Sequence, residues 1–117
     1  MRPLKLASGA GLWIDTVEAE GTVVIRVGGE VDLSSGDRLR AALEAAEARV
    51  TPPAPIVLDL TAVTFFGSPG WRLLARHHPR CQAIGSRLQV LTRDDTVRHT
   101  LEALGMERLL APGHRHN

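Results

Sequence analysis

The period of the apolar positions changes several times along the chain, and each change marks an element. Leu12–Val17 and Thr22–Val27 are short and rich in β-branched residues, with Glu18–Gly21 between them, which predicts an antiparallel hairpin. Gly28-Gly29 predicts a bend or bulge before Glu30-Val31-Asp32 resumes an extended form. From Gly36 to Arg49 the spacing turns helical. Leu39, Ala42, Leu43, Ala46 and Val50 fall on one side, and Ser34 or Ser35 is the expected N-cap. Thr51–Pro55, with three prolines, ends that helix as a stiff connector. Ile56–Leu60 is an almost continuous apolar run, expected at the centre of a helix-covered sheet.

Ser68 opens a second predicted helix, with Pro69 at its first position, where a missing N–H costs nothing. Trp71, Leu74, Ala75 and His78 make the expected inner face. Pro79 predicts a kink, or a stop near His78 and a short turn up to Gly85. Arg87–Leu91 reads as a further strand. Asp94 or Asp95 caps a third helix with Val97, Leu101 and Leu104 on one side, ending at Gly105. Met106, Leu109 and Leu110 are expected to pack back as a last turn. Residues 1–10 show no period and read as flexible, and residues 111–117 read as a disordered tail.

The order β-β-α-β-α-β-α predicts an α/β domain: a mixed sheet of four to five strands with three to four helices and right-handed crossovers. At 117 residues and 44% hydrophobic content, one self-sufficient core is expected. No apolar run approaches the ~20 residues of a membrane span, and no signal-peptide core opens the chain, so the expectation is cytoplasmic, with no membrane partner. Cys81, the single cysteine, has no partner for an internal disulfide and reads as half-buried and inert. The net charge is +1; residues 1–67 carry six basic and nine acidic side chains, residues 68–117 eight and four. That basic excess suits an acidic protein surface but is too dispersed for nucleic acid.

The candidate chemistry gathers at Ser68. A hydroxyl at a helix N-terminus is well placed to carry an anion, and a phosphate there would add roughly −1.5 to −2 charge beside the positive end of the helix. Arg72, one turn on at i+4, is placed to reach back to it. The alternatives are a plain cap or a nucleophile. Phe66 occupies the first glycine position of a Gly-x-Ser-x-Gly elbow, and no spacing pairs His77, His78 or His99 with Ser68, so an enzyme is not expected. Arg72, Arg76 and Arg80 form an i, i+4, i+8 stripe, either a landing strip for an acidic partner or a solvated face. Adjacent His77 and His78 point apart, and His114 and His116 lack ligand-spaced companions, so no metal is expected. His78 reads as inward-facing, Asp59 as bonded to nearby backbone, and Trp13 and Trp71 as core or half-core.

The element order and its punctuation resemble the STAS domain of bacterial anti-sigma-factor antagonists. Gly29-Glu30-Val31-Asp32-Leu33 is similar to that family's Gly-Glu-(apolar)-Asp stretch. Val57-Leu58-Asp59-Leu60 through Phe65-Phe66-Gly67-Ser68-Pro69-Gly70 is similar to its apolar strand and Asp-Ser-Ser/Thr-Gly phosphorylation loop. Val97 to Leu110 resembles its C-terminal helix and Gly-Leu-(x)-(x)-Leu ending. The resemblance implies a STAS-like domain over residues 11–110, acting by docking without a cofactor. It implies an anti-sigma factor that is also a serine kinase as partner, a serine phosphatase that resets the switch, and a monomer or weak dimer. Ser68 would be the phosphorylated residue; Asp32, Ser34, Ser35, Gly67, Pro69 and Arg72 would meet the partner. Gly67 stands where the family has Asp, and Pro69 where it has a second Ser or Thr. The alternative is therefore a non-phosphorylated STAS scaffold or accessory subunit in a regulatory or transport complex.

Overall fold

The structure, a computed structural model, describes residues 11–111. The expectations for residues 1–10, for residues 112–117 and for the histidines at 114 and 116 lie outside the described residues. Strands β1 (Leu12–Ala19) and β2 (Thr22–Val31) form the predicted antiparallel hairpin. Its two-residue turn has Glu20 at φ 54° and Gly21 at φ 86°. Two successive left-handed residues match the right-handed twist of the flanking strands, which is why a glycine serves there. Next come α1 (Gly36–Arg49), β3 (Ile56–Phe66), α2 (Ser68–Ala83), β4 (Leu88–Leu91), α3 (Asp95–Ala103) and a 3₁₀ turn at Glu107–Leu109.

The sheet order is β1-β2-β3-β4, with β2, β3 and β4 parallel. Two successive right-handed crossovers in one direction along a sheet put their helices on one face. The contact between Glu47 of α1 and His77 of α2 shows that they share it. Beneath them lie Val23, Ile25, Val27, Ile56, Leu58, Leu60, Leu88 and Val90; Leu39, Leu43, Leu74, Leu101 and Leu109 close the core from the helical side.

Several expectations need correcting. The irregularity predicted at Gly28-Gly29 is present, with Gly29 at φ 90°, but the extra residues that accompany it are on β3. Arg26 and Gly28 of β2 face Asp59 and Ala62, and Gly29 and Glu30 face Val63 and Phe65, so each extra residue is on β3. Asp59 Oδ1 accepts from the amide (2.9 Å) and hydroxyl (2.7 Å) of Thr61 at the first of these, the local backbone bonding its sequence position predicts. Gly28 instead gives room to the Trp13 indole, which an added Cβ would meet at 2.2 Å.

Helix α2 runs through Pro79 to Ala83 without the predicted stop at His78. Ala75, whose carbonyl loses its i+4 donor, is exposed, so water can satisfy that oxygen. The buried face of α2 is Leu73, Leu74, His77 and Cys81; Ala75 is exposed and His78 only half-buried. Leu104 is also exposed, because it follows the end of α3. Ala111, predicted to begin a disordered tail, is buried and donates its N–H to the Val90 carbonyl at 3.0 Å, beside the parallel bridge from Leu110 to Val90.

Candidate functional site

Val31 and Phe66, the last residues of β2 and β3, are paired, so the turns into α1 and α2 share one edge of the sheet. The carboxyl ends of parallel strands are where open α/β sheets offer their binding residues.

Asp32 organises the first turn. Its Oδ1 accepts from the Ser34 amide (3.0 Å) and hydroxyl (2.8 Å) and from the Ser35 amide (3.2 Å), and its carbonyl accepts from the Gly36 amide at 2.9 Å. The bonds to its carboxylate, the Ser34 hydroxyl first and the Ser35 hydroxyl (3.1 Å) second, hold the Asp32 carboxyl below its ordinary range. Ser35 is the N-cap of α1, as the sequence predicts, but its side chain makes no capping hydrogen bond to the helix. Ser35 is buried and turned inward; its hydroxyl accepts from the Asp32 amide at 2.9 Å and shares its one proton between the Glu30 carbonyl (2.9 Å) and Asp32 Oδ1 (3.1 Å). Ser34 is exposed and spends its hydroxyl on Asp32.

The second turn is tied to the first by the Gly67 N–H, which donates to the Val31 carbonyl at 2.8 Å. Gly67 is the N-cap, in an extended conformation, and its carbonyl accepts from Gly70 (2.9 Å) and Trp71 (3.3 Å). Ser68 is therefore the first helical residue and Pro69 the second, one place further in than the sequence predicts. The Ser68 side chain is exposed and bonds to no described residue. No acidic side chain occupies the first turn of α2, so nothing there offsets the positive end of the helix. Pro69 touches Gly36, where an added Cβ would come within 3.2 Å of it, so the two helix starts meet. The Phe66 and Trp71 rings meet edge to face with centroids 5.0 Å apart, which makes Trp71 the half-core residue predicted. The Phe65 ring covers Gly67, where a Cβ would lie 2.8 Å from it.

A groove of about 510 Å³ runs between α1 and α2 from this edge. Leu33, Pro69 and Leu73 give it an apolar lining, with Leu33 at its mouth; Asp37 and Arg40 stand on the α1 side, and Arg72 and Arg76 stand on the α2 side. Leu33 is 85% exposed and Phe65, at the same edge, 53%. Arg40 is engaged by Asp37 (3.4 Å) and Glu44 (3.5 Å). Arg72 and Arg76 have no ion-pair partner among the described residues, whereas Arg80, third in the stripe, pairs with Glu47 at 2.9 Å.

Sequence reasoning missed Glu47. Its carboxylate is nearly buried in the α1–α2 seam, with Oε2 2.5 Å from His77 Nδ1 and 4.0 Å from Cys81 Sγ, and Oε1 held by Arg80. The signal was present: position 47 continues the Leu39, Leu43 spacing onto the buried side. His77, not His78, is the inward histidine. Cys81 is fully buried, deeper than predicted, and burial, then the Glu47 charge, push its thiol up to about 11. Among the described residues no group of three or more His, Cys, Asp or Glu could hold a metal ion, and no helix is long and apolar enough to cross a membrane.

The sequence profile of the STAS domain matches residues 14–116. This chain belongs to the STAS domain family. The domain is 31% identical over 97 residues to the anti-sigma-F factor antagonist RsfB of Mycobacterium tuberculosis, covering 81% of this chain and 75% of that one. It is 31% identical over 96 residues to Rv2638 of the same species, where the STAS chain spans 65% of the relative's length. Among solved structures, an anti-sigma factor antagonist from Mycobacterium paratuberculosis superposes with a TM-score of 0.72 at 27% identity, over 86% of this chain and 84% of the other. The phosphorylated form of the Bacillus cell-fate determinant SpoIIAA shares the fold, with a TM-score of 0.67 at 22% identity over 86% and 89% of the two chains.

Proposed function

We propose that this STAS domain is an anti-sigma-factor antagonist. It docks on an anti-sigma factor that is also a serine kinase, frees the sigma factor, and is switched off by phosphorylation of Ser68; a serine phosphatase restores it. The observation that carries the reading is the state of Ser68: exposed, bonded to no described residue, the first residue of a helix whose first turn has no acid, at the same end of the sheet as exposed Leu33 and Phe65. The names of RsfB and of the Mycobacterium paratuberculosis antagonist support the antagonist role. Asp32 and Ser34 form the neighbouring contact, buried Ser35 holds that turn from within instead of meeting the partner as its sequence position suggested, Gly67 and Pro69 shape the second turn, and Arg72 lies one helical turn away. The domain acts by binding, the role carried by the names of its antagonist relatives.

A second reading is favoured by Gly67. The half-exposed Phe65 ring lies over Gly67 and would have to turn aside for an acidic side chain there, and Pro69 removes a backbone donor from the first turn. On that reading the module is a constitutive scaffold and Ser68 a bystander. Pull-downs from host lysate with wild-type and Ser68→Asp baits, read by mass spectrometry, separate the two. The switch predicts a kinase-like anti-sigma factor held by the wild type and lost by Ser68→Asp; equal retention by both baits supports the scaffold.

A further inference from the structure

We infer that the groove between α1 and α2 is the seat of an acidic amphipathic helix of the partner, with two carboxylates on Arg72 and Arg76 and its apolar side on Leu33, Pro69 and Leu73. This rests on the docking reading and names what docks. The groove is electrically lopsided. On the α1 side Arg40 is outweighed by Asp37 and Glu44, leaving that wall net negative, while on the α2 side Arg72 and Arg76 stand one turn apart and unpaired among the described residues. Arginines at i and i+4 lie about 5–6 Å apart at Cβ, which suits two carboxylates spaced i, i+4 on a facing helix. An 85%-exposed leucine at the mouth fits an apolar protein surface and not a phosphodiester backbone, and two free arginines beside Asp37 make a poor nucleic-acid footprint.

The same placement explains how a charge at Ser68 would act. Ser68 is four residues before Arg72, so a phosphate on it takes Arg72 into a charge-assisted pair within α2. The partner's first carboxylate then loses its counter-charge and meets a like charge instead. Arg72 is the exchange point between the two states.

The test titrates the full chain, ¹⁵N-labelled, with a synthetic helical peptide bearing Leu along one side and flanking Glu at i, i+4, and with the same peptide carrying Gln for Glu. Amide shifts are expected at Leu33, Gly36, Arg72, Leu73 and Arg76, with affinity roughly tenfold weaker for the Gln peptide and falling steeply with salt. Arg72→Glu/Arg76→Glu should abolish the shifts and Ser68→Asp should weaken them severalfold, with circular dichroism unchanged and Arg87→Gln binding as wild type does. Equal shifts with both peptides, no shifts, or shifts placed elsewhere overturn the inference. The docking reading fails separately. If the double variant still captures the anti-sigma factor from lysate, docking stands and the groove assignment falls; if the wild type captures none, the docking reading falls while the titration still decides the groove.

Discussion

At Asp94 the side chain accepts from the Thr96 amide at 2.8 Å, while at Ser68 the hydroxyl meets no described residue. The two helix starts should therefore respond differently to alanine. Asp94→Ala removes a real cap and is expected to cost about 1 kcal/mol. Ser68→Ala is expected to stay within about 0.5 kcal/mol of wild type, as an unbonded surface position does. Urea titrations of both variants check this, and a loss of about 1 kcal/mol at Ser68 would mean that its hydroxyl caps after all. Asp32 gives a pH-dependent case. Its carboxyl is held low in the folded protein by the Ser34 and Ser35 hydroxyls, so its contribution is fully present above the unfolded carboxylate pKa of about 3.9 and is lost as pH falls through the lower, folded value. Asp32→Ala should thus be less stable than wild type at pH 7, and the gap should close in strongly acid solution. Parallel urea curves at the two pH values measure it, and a gap independent of pH would remove the carboxylate from the account. From sequence Asp32 was assigned to docking alone, because a short side chain serving its own turn looks the same as one offered outward.

The helices show what periodicity can and cannot give. Gly36–Arg49 is legible because its apolar residues keep helical spacing without interruption. Helix α2 misleads, since an interior proline disfavours a helix by about 3 kcal/mol. It continues because Leu73, Leu74, His77 and Cys81 pack on one face while Pro79 lies on the exposed one. A buried polar contact is harder to read, because nothing in one helix announces its partner in another. Glu47 is such a case. Truncating it would leave His77 buried without the contact at Nδ1, and its Nε2 already has none among the described residues. Glu47→Ala is expected to cost roughly 1–3 kcal/mol, the usual result of leaving a buried polar group without its partner, as read by chemical denaturation. A loss under 1 kcal/mol would show the pair to be dispensable. The raised Cys81 thiol should leave native protein unreactive towards a disulfide reagent at pH 8, with modification following only on unfolding.

At the scale of the molecule, the order of elements was legible because connection lengths and the change between periods of two and about 3.6 survive without tertiary information. The packing back of Leu109 and Leu110 was legible too, but their bridge to β4 was not, since a few residues after a last helix carry too little pattern to show a strand pairing. Beyond the Gly105 turn the chain returns along β4, burying Leu109 and Leu110 and giving the Ala111 N–H to the Val90 carbonyl. Two buried leucines contribute roughly 3–6 kcal/mol, which is a large part of the 5–15 kcal/mol that holds such a domain. A chain ending at Gly105 would lose that contribution and leave the outer edge of β4 unpaired, a template for aggregation. It should melt at least ~10 °C below the full chain, given about 4–8 °C per kcal/mol at this size, and associate on heating. A chain ending at Ala111 keeps both leucines and the bridge and should melt close to the full length. Calorimetry of the two truncations beside the full chain decides it: equal melting for all three would mean that the turn at Glu107–Leu109 merely rests on the sheet, and that the helical face above β2 and β3 stabilises the fold by itself.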